Sequence, residues 1–85
     1  MPRNNNLKSI QFAVKSFLEK NTRRTIASSG TDLVKSGIIS SLIMFELIDF
    51  IEKKFNVDVD VLSIVPDNFN SLKKIAKQIT VWMLK

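Results

Sequence analysis

The sequence predicts an all-α fold, a small four-helix bundle with three main helices and one short one. Three observations carry this. Apolar residues recur at helical spacing in three separate segments. The one stretch that alternates like a strand has no pairing partner elsewhere in the chain. At 85 residues there is room for a single domain, residues 1–85. A domain of this size buries only about 60% of the surface its unfolded chain exposes, so its core must be economical.

The first helix is expected over residues 7–20. Leu7, Ile10, Val14, Phe17 and Leu18 form its apolar stripe, with Lys8, Lys15 and Glu19 on the other side. The pattern stops at Asn21-Thr22-Arg23-Arg24, and a stretch rich in Thr, Ser and Gly runs on to Ser40. A connection this long inside a small domain tends to be functional. Leu33, Val34, Ile38 and Ile39 are expected to pin it to the core, with Gly30 and Gly37 permitting its turns.

A second helix is expected over residues 41–55. Leu42, Phe45, Ile48, Ile51 (or neighbouring Leu47) and Phe55 face inward, and Glu46, Asp49, Lys53 and Lys54 face out. Asn56-Val57-Asp58-Val59-Asp60-Val61 alternates but is read as an extended connector. Pro66-Asp67-Asn68-Phe69-Asn70 predicts one helical turn beginning at the proline. Ser71 then caps a last helix whose stripe is Leu72, Ile75, Ala76, Ile79 and Trp82.

Cysteine and histidine are both absent. Without cysteine there is no disulfide, thiolate metal site or thiol nucleophile. Without histidine the usual general base and every Ser-His arrangement are missing. A serine hydroxyl is a weak nucleophile until a base takes its proton, and no carboxylate or lysine stands at a telling spacing from one. The chain is therefore expected to be no enzyme, with no catalytic residues and no metal.

The net charge of +5 is unevenly placed. Arg3, Lys8, Lys15, Lys20, Arg23 and Arg24 stand against Glu19 alone in the first 25 residues. Residues 41–70 carry Glu46, Asp49, Glu52, Asp58, Asp60 and Asp67 against Lys53 and Lys54. A partner that reads charge meets two different faces. The most apolar stretch, residues 37–55, is broken by Glu46, Asp49 and Glu52, so no stable membrane insertion is expected. The start, Met1-Pro2-Arg3-Asn4-Asn5-Asn6, lacks the apolar run of a secretory signal. The basic segment after it carries a core-type stripe that a discarded leader does not need. A cytoplasmic location is expected.

Taken together, the loop and second helix read Thr31-Asp32-Leu33-Val34-Lys35-Ser36-Gly37-Ile38-Ile39-Ser40-Ser41-Leu42, then Phe45-Glu46-Leu47, Ile51-Glu52 and Phe55. This resembles the acyl and peptidyl carrier protein family, the phosphopantetheine-binding carrier domains. The family's signature is Asp-Leu, then Gly with two aliphatics, Asp-Ser-Leu and a following Glu-Leu. Asn68-Phe69-Asn70-Ser71-Leu72, with Ile75-Ala76, is similar to the family's approach to its final helix. The resemblance runs without a gap over residues 31–76, and the first helix fits in place and length.

The resemblance implies an acyl-carrier-protein-like bundle and a specific role for Ser41. In the family, a separate phosphopantetheinyl transferase moves 4′-phosphopantetheine from coenzyme A onto this serine. The arm's thiol then carries an acyl or aminoacyl group as a thioester between loading and processing enzymes of fatty-acid, polyketide or nonribosomal peptide biosynthesis. The reactive thiol belongs to the cofactor and the catalytic bases belong to the partners. A helix N-terminus also suits an attached phosphodiester. Leu42, taking the inward direction, is expected to leave the Ser41 hydroxyl outside. Ile48, Ile51, Ile64 and Ile75 could line a cavity for a bound chain, and as bare pattern they are core. The chain is expected to be a monomer.

Three departures from the family pattern stand out. Ser40 occupies the position before the modified serine, where the family usually has aspartate. Ile43 and Met44 stand where acidic residues often follow it. With Leu42 and Phe45 inward, at least one of these two is expected at the surface. There it would form a mixed docking face with Glu46, Asp49 and Glu52, less salt-sensitive than a purely acidic helix. The first helix and loop are basic, a solvated face or an attraction for an acidic partner, a nucleic acid or an anionic membrane. Two alternatives stay open. One is an unmodified carrier-fold scaffold or interaction subunit, suggested by Ser40. The other is a basic nucleic-acid binder, suggested by the pI alone and opposed by the acidic second helix. The leading expectation is no nucleic-acid partner.

Overall fold

Sixteen residues without glycine or proline form the first helix, α1 (Leu7–Thr22), in the computed structural model, which describes residues 7–84. Residues 1–6 and Lys85 lie outside the described residues, and with them the readings made on Met1-Pro2-Arg3-Asn4-Asn5-Asn6. Ile10, Val14 and Leu18, one helical ridge, are buried. Leu7, expected on that stripe, is exposed at the helix start, and Phe17 is half-buried beside it. The helix runs two residues past the expected end. Asn21 Nδ2 donates to the Phe17 carbonyl at 2.8 Å and Thr22 Oγ1 to that of Leu18 at 2.7 Å. Arg23 then turns the chain with a φ of 57°.

Helix α2 (Ser41–Phe55) has the expected bounds, closed by Asn56 in the left-handed conformation. Its inward face differs from the expected one. Leu47 and Ile51 are buried, with Ile43, Met44, Phe50 and Phe55 packed against the core. Leu42 and Phe45, expected inside, are 67% and 74% exposed. The cause is composition: nine of the fifteen residues of α2 are apolar, so several stripes compete. The straight ridge Ile43, Leu47, Ile51 wins, because Phe50 beside it stacks on Phe17 of α1 with ring centroids 4.5 Å apart.

No strand forms among the described residues. Val57 and Val59 lean on the core from an extended connector, and Asp60 caps an unexpected 3-10 turn, Val61–Ser63. The short helix α3 (Pro66–Phe69) starts at its proline and buries Phe69. Helix α4 (Leu72–Met83) buries Leu72, Ile75, Ala76, Ile79 and Trp82, the whole expected stripe, behind the Ser71 cap. Helix α1 packs on α4 and α2, and α3 packs on α4. The chain is an all-helical bundle of three main helices and one short one around a single apolar cluster. Its radius of gyration of 11.8 Å agrees with about 12 Å for a compact chain of this length. Among the described residues no helix is long and apolar enough to cross a membrane.

Candidate functional site

The loop between α1 and α2 is sewn down along its length. Glu19 Oε2 accepts from the Ile26 N–H at 2.8 Å, and Ile26 is buried. Lys73 N–H donates to the Ser29 carbonyl at 3.2 Å, and Leu33 N–H to that of Asn70 at 2.8 Å. Asp32 Oδ1 accepts from the N–H groups of Val34 and Lys35, holding a turn that returns Ile39 N–H to the Leu33 carbonyl at 3.0 Å. Leu33, Ile38 and Ile39 are buried as expected, whereas Val34 stays 37% exposed. Of the two glycines only Gly37, at φ 81°, needs the left-handed region. Through these ties the stretch around Asn70 fixes where α2 begins.

At that beginning two serines have separate positions. Ser40 is the N-cap: its Oγ accepts from the Ile43 N–H at 3.3 Å and its carbonyl from the Met44 N–H at 2.8 Å. Ser41 is the first helical residue and is exposed. Among the described residues no hydrogen bond engages its hydroxyl, and the N–H groups of Ser41 and Leu42 have no partner. The hydroxyl is outside as expected, although not because Leu42 turns inward. Both side chains face solvent.

Beside Ser41 lies an open groove of about 350 Å³. Ile39, Met44, Phe45, Ile48, Ile64 and Val65 give it apolar walls, and no charged residue lines it. Ile48 and Ile64 thus line a surface groove, while Ile51 and Ile75, read with them as cavity residues, are fully buried in the core. Phe45 is also a wall of a second, larger and more open groove of about 680 Å³ with Phe17, Phe50, Glu46 and Asp49.

The five residues expected to dock a partner fall into different surroundings. Glu46 and Asp49 are exposed, and Asp49 pairs with Lys53 at 3.1 Å, both well hydrated. Glu52 is exposed, but its Oε2 accepts from the Val59 N–H at 3.1 Å and holds the connector. Ile43 is half-buried on the core ridge, and Met44 is half-buried with one side on the Ser41 groove. On α2 the large exposed apolar residues are Leu42 and Phe45, which periodicity alone placed inside. The signal that finds them is the i, i+4, i+8 run Ile43, Leu47, Ile51, which fixes the buried ridge and leaves them outward.

A free hydroxyl on an exposed helix start, with two open N–H donors beside it, fits a phosphodiester ester-linked at Ser41. No family model matches this chain, and no curated protein matches it.

Proposed function

We propose that this chain is a free-standing acyl or aminoacyl carrier, modified on Ser41 with 4′-phosphopantetheine by a phosphopantetheinyl transferase and presented to loading and processing enzymes in the cytoplasm. The observation that carries this reading is the division of labour at the start of α2. Ser40 does the capping, so the Ser41 hydroxyl stays free and exposed. The resemblance over residues 31–76 names the group that such a hydroxyl takes, and the absence of histidine and cysteine agrees with a handle for other enzymes' chemistry. When bound, the group supplies the thiol that carries a thioester. The Ser41 and Leu42 N–H groups and the positive end of α2 would hold its phosphate. Ile39, Met44, Ile48 and Ile64 offer an apolar resting place near the arm, better suited to an acyl chain than to a charged aminoacyl group. Leu42, Phe45, Glu46 and Asp49 form the exposed mixed surface for the enzymes.

The test is intact mass. The pure protein, incubated with coenzyme A and a broad-specificity transferase, is expected to gain one phosphopantetheine, and Ser41→Ala none. No gain in the native chain leaves the unmodified interaction subunit as the reading. An equal gain in Ser41→Ala removes Ser41 from it.

A further inference from the structure

Another exposed aromatic stands on a different face. Phe12 is 71% exposed on α1, with Lys8 one turn before it and Lys15 one turn after on the same side. The three line a groove of about 240 Å³ with Ser28, Ser29 and Leu72. None of its lining residues belongs to the Ser41 groove. Helix α4 packs on α1 and begins beside this groove, where Lys73 is tied to Ser29. It carries no acidic residue; Lys73 stands next to the groove, while Lys74 and Lys77 line a separate groove with Asp67 of α3. Helix α1 adds Lys8, Lys15 and Lys20 against Glu19 alone, whose carboxylate is turned to the Ile26 N–H. Among the described residues none of these six lysines enters an ion pair.

We propose that the α1–α4 face docks reversibly on an anionic lipid bilayer, with Phe12 entering the headgroup layer and the lysines against lipid phosphates and carboxylates. Charge complementarity selects an anionic partner, and the setting of Phe12 selects a bilayer among anionic partners. A protein interface needs a contiguous apolar centre around its anchor, and the neighbours of Phe12 in this groove are two lysines, two serines and Gln11, with the buried Leu72 the one apolar residue beside it. A single-stranded nucleic acid needs a series of stacking rings, and this face offers one. A headgroup layer accepts one ring flanked by cations, with affinity summed over the basic cluster. The proposal is independent of the Ser41 reading and holds for the chain whether or not it is modified.

Co-sedimentation with vesicles tests it. Binding is expected to phosphatidylserine/phosphatidylcholine vesicles and not to phosphatidylcholine alone, falling as salt rises. Phe12→Ser should lower partitioning about tenfold, and Lys8→Glu with Lys15→Glu at least as much. Leu62→Ser, an exposed apolar residue beside Asp60 and away from this face, should leave it unchanged. Circular dichroism of each variant should match the native spectrum, since all these side chains are at the surface. Absence of vesicle binding overturns the proposal. So does binding that ignores Phe12, or tighter binding to a DNA duplex or a polyglutamate peptide than to the vesicles.

Discussion

Ser40 and Ser41 have the same side chain, and one residue of offset gives them different work. The hydroxyl of Ser40 reaches the Ile43 N–H, so it is held by the backbone, while that of Ser41 projects from the first helical position. Ser40→Ala removes the cap and is expected to cost about 1 kcal/mol of stability, read as a lower melting temperature. Ser40→Asp keeps an acceptor and puts a negative charge at the positive end of α2, a gain of about 0.3–1 kcal/mol at low salt. On the proposed function, and because aspartate is the usual residue at this position in the carrier family the chain resembles, the same variant is expected to take up phosphopantetheine faster than the native chain. A time course of intact mass measures it. A slower course would mean that the transferase reads this site without a carboxylate.

Helices α1 and α2 end with the same device: a glutamate near the C-terminal end reaches seven residues ahead and accepts the N–H of a residue in the following segment. Glu19 holds Ile26 and Glu52 holds Val59. Glu19→Ala is expected to speed hydrogen exchange at the Ile26 amide by about tenfold, as losing a charged acceptor should. The amides of Val14 and Leu18 should keep their protection. Exchange followed by NMR distinguishes this local opening from a global loss. Neither clamp was legible in the sequence, because nothing in the spacing of Glu19 or Glu52 separates a carboxylate turned to the backbone from one facing solvent. The stripe of α4 was fully legible, since Leu72, Ile75, Ala76, Ile79 and Trp82 stand out against lysines at clean intervals. The face of α2 was harder to read, because apolar residues fill most of its positions; the run Ile43, Leu47, Ile51 was the signal for it, and Phe50 stacked on Phe17 of α1 reinforces that ridge. At the candidate site the sequence singled out Ser41 and named Ile48 and Ile64 among possible lining residues, whereas Ile39, Met44, Phe45 and Val65 join them only once the connector before α3 is folded against α2.

On the scale of the whole molecule, a short helix closes the core. Phe69 is fully buried, with its ring centroid 6.1 Å from that of Trp82. Its neighbour Asn70 holds the loop through Leu33. Phe69→Ala is expected to cost about 3–5 kcal/mol, a large share of the total stability of a small domain, about 5–15 kcal/mol. Thermal unfolding should shift down by at least about 12 °C, and the start of α2 should loosen with it. Charge is also arranged at this scale. Acidic residues gather from α2 to α3, and lysines without an ion pair among the described residues gather on α1 and α4.

The position of Trp82 has one more consequence. It is the only tryptophan, there is no tyrosine, and its indole is buried against Phe69. Excited beyond the phenylalanine absorption band, the protein therefore emits from a single fluorophore at the α3–α4 contact. It reports the closing of that contact during folding, and Trp82 lines neither the groove at Ser41 nor the groove at Phe12. The molecule carries its own folding gauge, set apart from both grooves.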